Sequence, residues 1–225
     1  MSFSKTIAQK NQLTRFFLST LFAALLLIAL PAVAAQMELT LVDTQGKPLN
    51  NAVAAIVPAQ KINYTALPPA VMDQRKNMFV PSVLAIRVNT QVSFPNSDDI
   101  RHHVYSFSPA KKFELRLYHG MTAEPVLFDK PGTVVLGCNI HDSMVAYIYV
   151  VDTDFFAVAD AQGKISITAP GGTYQLQIYH PQMNSNFPES AIVLDDSQAI
   201  QKTITLDNLS APTPAKTDDE FSNLF

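Results

Sequence analysis

The feature that most constrains the fold is a close succession of short alternating apolar runs, separated by turn residues. Runs of this kind cover residues 37–42, 52–57, 83–88, 91–94, 103–107 and 126–128. They continue at 133–138, 144–151, 164–168, 174–179, 191–194 and 199–206. Between them stand Gly46 and Pro48, Asn89, Gly163, and the pair Gly171 and Gly172. Alternation with period two buries one face of a strand, and Gly, Pro and Asn supply the reversals between strands. Outside residues 16–30, no segment of a dozen residues keeps a helical period. The chain is therefore expected to be all-β, a sandwich rather than a bundle or an α/β fold. Fifteen Pro among 225 residues agree with that.

The first 35 residues follow a different rule. Lys5, Lys10 and Arg15 precede a largely apolar run at 16–30, and Ala32, Val33 and Ala34 follow it. Positive residues, a 15-residue apolar core and a small-x-small ending make a secretory signal peptide, with cleavage after Ala34 or Ala35. A spanning helix needs about 20 apolar residues. The expectation is a soluble mature protein in the periplasm, without stable membrane insertion once the signal is cleaved. A formal net charge of −3 offers no field for nucleic acid, so none is expected as a partner.

Export changes the meaning of Cys138, the single cysteine. Exported proteins usually carry paired cysteines or none. A lone one is buried and inert, dimer-forming, or occupied, and a thiolate held by a metal is occupied. Cys138, His141 and Met144 follow one another at gaps of two residues, just after the run that ends at Leu136. A thiolate with two imidazoles and a distant thioether is the donor set of type 1 copper, stable in both oxidation states. A short loop supplies three of the four donors. The remaining histidine should come from an earlier strand, where His102 and His103 are both available. Neighbouring strand residues face opposite sides, so only one can serve.

At these segments the chain resembles the cupredoxins plastocyanin and amicyanin. The 138–144 loop has the amicyanin gaps, and Asn96 lies six residues before His102, as in those proteins. Phe79 to Pro81 and Val88 to Phe94 match the strands leading to that histidine. The segments 102–108, 138–144 and 146–153 also resemble bacterial proteins labelled methylamine utilization proteins. The resemblance covers about residues 76–157. It implies a Greek-key β-sandwich holding one type 1 (blue) copper through His102, Cys138, His141 and Met144. Asn96, Asn139 and His103 are then the supporting residues, with His103 the rival ligand. In the family the residue after the first histidine is usually Asn, which ties the ligand loops together; His103 stands there instead. Ile140 replaces a proline, which keeps an additional N–H near the thiolate and is expected to raise the potential. In the family, the histidine corresponding to His141 is the electron port; Asp142 places a negative charge beside it.

The flanks carry a second pattern. Residues 42–53 resemble the opening of carboxypeptidase regulatory-like (transthyretin-like) modules, and 159–167 and 171–178 resemble their later strands. The expected organisation is therefore a signal peptide at 1–35 and a discontinuous transthyretin-like sandwich from 36–60 plus 153–207. A cupredoxin domain at 76–152 is inserted in it, and a disordered tail runs over 208–225. Extra strands on one enlarged sandwich are the alternative.

Type 1 copper leaves no position open for substrate, so the expected function is single-electron transfer with a periplasmic redox partner. Catalysis would need further histidine clusters, and only five His exist. A copper-trafficking protein using the same donors is the alternative. His119 and His180 are expected at the surface or in turns, and Met72 and Met121 in packing.

Overall fold

A computed structural model describes residues 34–60, 67–121 and 124–210. Among them every helix-or-strand element is a strand. In chain order these are β1 (Ala35–Asp43), β2 (Val53–Pro58), β3 (Ala70–Val71), β4 (Asp73–Arg75), β5 (Met78–Val80) and β6 (Val83–Arg87). Then come β7 (Thr90–Ser93), β8 (His102–Ser106), β9 (Phe113–Tyr118), β10 (Val126–Phe128), β11 (Gly132–Gly137) and β12 (Val145–Val151). The last are β13 (Phe156–Val158), β14 (Lys164–Ala169), β15 (Gly172–Tyr179), β16 (Ser190–Leu194) and β17 (Ile200–Leu206).

Two hydrophobic cores organise them. The first lies between the sheet β14-β1-β17 and the sheet β13-β2-β15-β16. In β1, alternation sends Ala35, Met37, Leu39 and Leu41 inward, where they meet Ile165, Ile167 and Ile204. Strand β1 pairs antiparallel with β14 and parallel with β17. Opposite, β2 contributes Ala54 and Ile56, and β15 contributes Tyr174, Leu176 and Ile178. Val53, Ala54, Ala55 and Ile56 are all buried, so β2 is covered on both faces.

The second core lies between the five-stranded sheet β6-β12-β11-β8-β9 and the sheet β10-β7-β3 with the β4-β5 hairpin beside it. Val134 and Leu136 of β11 and Ala146, Ile148 and Val150 of β12 point inward on every second position. They meet Val92, Phe94 and Phe128 from the other layer. Phe113 completes the aromatic packing, 5.5 Å from Phe94 and 6.0 Å from Phe128 between ring centroids. Each such pair adds about 0.5–1.5 kcal/mol beyond the area it buries.

The two cores meet where β12 hands the chain to β13. The buried Thr153 hydroxyl donates to Ile56 O at 2.8 Å and accepts from Phe155 N at 3.1 Å. Arg87, 3% exposed, pairs with Asp154 at 2.6 Å in the same crossing.

Several expectations need adjusting. The signal-peptide residues up to 33 lie outside the described residues, as do 211–225. Residues 208–210, expected to begin a tail, are instead bonded to the 182–184 segment. Asn184 N donates to Asn208 O, and Ser210 N to Gln182 O. Leu209 packs against the first core and its apolar side chain explains the docking. His180 opens a turn as expected, its carbonyl accepting from Met183 N at 3.0 Å, but it is buried rather than at the surface, with Nε2 near Asn50 O and Nδ1 accepting from Gln182 N. Desolvation lowers its pKa, against the opposing pull of the Asn50 carbonyl. Met72 is core, but Met121 is 69% exposed. His119 is exposed as expected.

Candidate metal centre

Strand register brings the donors to one end of the five-stranded sheet. Gly137, the last residue of β11, lies opposite Val145, the first of β12, so residues 138–144 form the loop between them. Gly137 also lies opposite Tyr105 of β8, which places His102 beyond the same end. Glycine leaves room there for a neighbouring ring. A Cβ on residue 137 would come within 2.8 Å of the Tyr105 ring that crosses it. The loop is closed by Met144 N donating to His141 O at 2.9 Å and by Val145 N to Ser143 O at 3.0 Å.

The ligand atoms of His102, Cys138 and His141 lie within 4.8 Å of one another. The two imidazoles face each other at 5.1 Å between centroids, tilted by 58°. Cys138 is a free, buried thiol. Met144 is buried in the same apolar cluster as Cys138. The Nδ1 atoms of His102 and His141 are buried and have no hydrogen-bond partner. A buried polar atom without a partner is costly. A metal ion accepting both lone pairs and the thiolate would remove that cost, so the residues fit a copper of the type 1 kind.

The remaining candidates sit differently. His103 lies on the opposite face of β8, where Nε2 meets Glu114 Oε1 at 3.0 Å and the ring packs on Tyr105. A bulge between His102 and Val104 loosens the pairing with β9 there. Asn96 is buried and holds the loop before His102. Its Nδ2 donates to Ile100 O and Tyr118 O, both at 2.8 Å, and its Oδ1 accepts from Asp98 N at 3.0 Å. Behind it, Tyr118 donates to Phe94 O at 2.6 Å, and Gln74 Nε2 donates to the Tyr118 hydroxyl. Burial pushes the Tyr118 phenol far above its ordinary pKa, so that donor does not ionise. Asn139 is exposed.

Asp98 is the residue that sequence reasoning missed. Its Oδ2 meets His102 Nε2 at 2.8 Å. The same carboxylate accepts from the backbone amides of Lys76 and Asn77. Burial works to raise its pKa, but the Asn77 amide, His102 and the Lys76 amide outweigh that and hold it below the ordinary carboxylate value. The available signal was its place four residues before His102, which its neighbour Asp99 only narrowly lacks.

Facing sheets around one apolar core, with a His-Cys-His cluster where β8, β11 and β12 end together, decide the architecture. The described residues form an all-β sandwich that carries the cluster, joined to a second small β-sandwich. No protein-family model and no curated protein matches the chain. Among solved structures it is similar to a Cu-containing nitrite reductase from Thermus scotoductus SA-01, with 28% identity and a TM-score of 0.36. That match covers 42% of this chain and 26% of the reductase, so the chain spans about a quarter of that protein's length. A purple cupredoxin from Nitrosopumilus maritimus is similar at 20% identity over 36% of this chain and 99% of its own, with a TM-score of 0.33. An amicyanin mutant in its reduced Cu(I) form is similar at 20% identity over 44% of this chain and 98% of its own, with a TM-score of 0.34.

Proposed function

We propose that this protein is a periplasmic type 1 copper electron carrier that binds one copper per chain and is not an enzyme. The observation that supports it is the gathering of one ligand atom each from His102, Cys138 and His141 within 4.8 Å, with the Nδ1 atoms of both imidazoles unpartnered and Met144 buried in the same cluster as Cys138. In this reading copper would be held strongly by His102, Cys138 and His141 and weakly by Met144. Copper held so supplies a one-electron couple, Cu(II)/Cu(I).

The chain's own residues do the rest. Val104, Leu136, Ala146 and Phe94 share the close-packed apolar cluster of Cys138 and Met144, side chains that cannot follow a change of charge, which would keep reorganisation small. The thiol sits in that dry shell and is kept from pairing with another cysteine. His141 is only half-buried, next to exposed Ile140, and provides the route by which an electron leaves toward a partner protein. The periplasmic address rests on the signal pattern at residues 1–35, and the transthyretin-like resemblance of the second sandwich remains part of this reading.

The test is to add Cu(II) to the purified protein and record visible and electron paramagnetic resonance spectra. An intense thiolate band with narrow parallel hyperfine splitting, lost in Cys138→Ser, is the expected result. A colourless protein that takes only Cu(I) would reassign the same donors to copper trafficking. A protein that takes neither ion would end the reading.

A further inference from the structure

We infer that Asp98 is a positioning residue for the metal centre. Its carboxylate fixes the His102 proton on Nε2 and so presents Nδ1 as a lone pair. The inference rests on the copper reading above and deepens it.

Three observations carry it. First, the two nitrogens of His102 have opposite surroundings. Nε2 lies 2.8 Å from a carboxylate oxygen, while Nδ1 is buried with no partner. A carboxylate can only accept, so Nε2 must donate, and the neutral ring then carries its lone pair on Nδ1. Second, Asp98 is itself immobilised. Lys76 and Asn77 form the turn between β4 and β5 with φ of +54° and +56°, which aims two successive backbone amides at its carboxylate. Consecutive amides in such a turn make a small anion-binding concavity. The Asp98 backbone N–H is tied in addition to Asn96 Oδ1. Third, the side chain is 13% exposed and that of His102 is fully buried, so water screens the pair little.

An imidazole that donates to a carboxylate is a stronger metal ligand. The gain is larger for Cu(II) than for Cu(I), because the ion of higher charge draws more on the lone pair. Asp98 therefore favours the oxidised form and lowers the potential. The β4-β5 turn belongs to the same device, although nothing in it touches a ligand directly. Asn in place of Asp98 offers one oxygen where three donors converge, so an amide N–H must face either the turn or His102 Nε2. Facing His102, it would reverse the tautomer and turn the ligand atom into a donor.

The experiment compares the parent protein, Asp98→Asn and Ser97→Ala. Ser97 bonds Asp73 in the same loop and does not touch His102, so its variant reports loop loosening alone. On the copper-loaded proteins, Asp98→Asn is expected to change the Cu(II)-over-Cu(I) affinity ratio about tenfold, raising the midpoint potential by about 59 mV. Ser97→Ala should lose stability and keep its potential. On the metal-free parent at pH 8, nitrogen-15 NMR of the imidazole should show the Nε2–H tautomer of His102. That measurement needs no variant and no copper. An Nδ1–H tautomer in the parent, or an unchanged potential in folded Asp98→Asn, would overturn the inference. A parent that binds no copper but shows the Nε2–H tautomer would sink the copper reading and leave the role of Asp98 in placing the ring intact.

Discussion

Asn96 offers the sharpest test of how the histidine loop is held, because one side chain makes three bonds to backbone. Its amide reaches Ile100 O and Tyr118 O, both at 2.8 Å, and its oxygen takes Asp98 N at 3.0 Å. Asn96→Ala removes all three. A net contribution of about 1 kcal/mol for each gives a loss of about 3 kcal/mol. In a domain of this size that lowers Tm by about 6–12 °C. Asn96→Asp separates shape from polarity. It keeps the Oδ1 bond to Asp98 N but turns an acceptor toward two carbonyl oxygens already at hydrogen-bond distance. Its cost should exceed that of the alanine variant at pH 7, and should shrink in acid as the new carboxyl takes up a proton. The assay is thermal and urea unfolding of the metal-free proteins, followed by circular dichroism and by tyrosine emission, since the chain has no Trp. An alanine variant within about 0.5 kcal/mol of the parent, or an aspartate variant as stable as the parent, would refute the reasoning, because surface substitutions without such bonds usually fall in that range.

Thr153→Val keeps shape but strips the hydroxyl that bonds Ile56 O and Phe155 N, and should cost about 2–3 kcal/mol in urea unfolding while leaving any copper spectrum unchanged. His180 has its folded pKa depressed by burial, so its contribution to stability is complete above the unfolded value of about 6.5 and is lost as pH falls through the folded value. His180→Gln should flatten the fall in Tm of the metal-free protein below about pH 6.5, and parallel curves for the two proteins would remove this residue from the acid response. Ile140→Pro deletes the backbone N–H that the cupredoxin resemblance puts near the thiolate and should lower the midpoint potential; voltammetry showing a rise or no change would reject it.

Most of the strand framework could be read from alternation, because β1, β12, β14 and β15 each bury one face and repeat it over six or more residues. What escaped lacked that contrast. Strand β4 is Asp-Gln-Arg, three polar residues with only Gln74 buried, and its turn uses Lys76 at positive φ, where no sequence rule expects lysine. Strand β9 lies at a sheet edge, and although Phe113 and Leu115 pack on the second core, none of its residues is fully buried and Leu117 is exposed, so the contrast between its faces is weak. Strand β13, three residues with none buried, offers no pattern at all. At the site, spacing pointed to His102, Cys138 and His141, whose ligand atoms lie within 4.8 Å of one another, because a loop of fixed length leaves little freedom. Asp98 could not be read in the same way. Its role depends on a hairpin more than twenty residues earlier, and a carboxylate in a run of Asp98 and Asp99 looks like solvated surface. Met72 and Met121 make the same point, since one is fully buried and the other exposed with nothing in their immediate sequence to separate them.

The pairing of β1 sets an order in time. Its partners are β14, which begins at Lys164, and β17, which begins at Ile200. Every strand of the sheets around the second core pairs within residues 70–151. Contacts of short sequence separation close faster than distant ones. As the chain emerges from its N-terminal end, the inner sandwich can close while the outer one still lacks five of its seven strands. The first strand to be made is therefore among the last to be paired. Until then it waits as an open edge with Met37, Leu39 and Leu41 uncovered, the interval in which a chaperone or an unwanted second chain would find it.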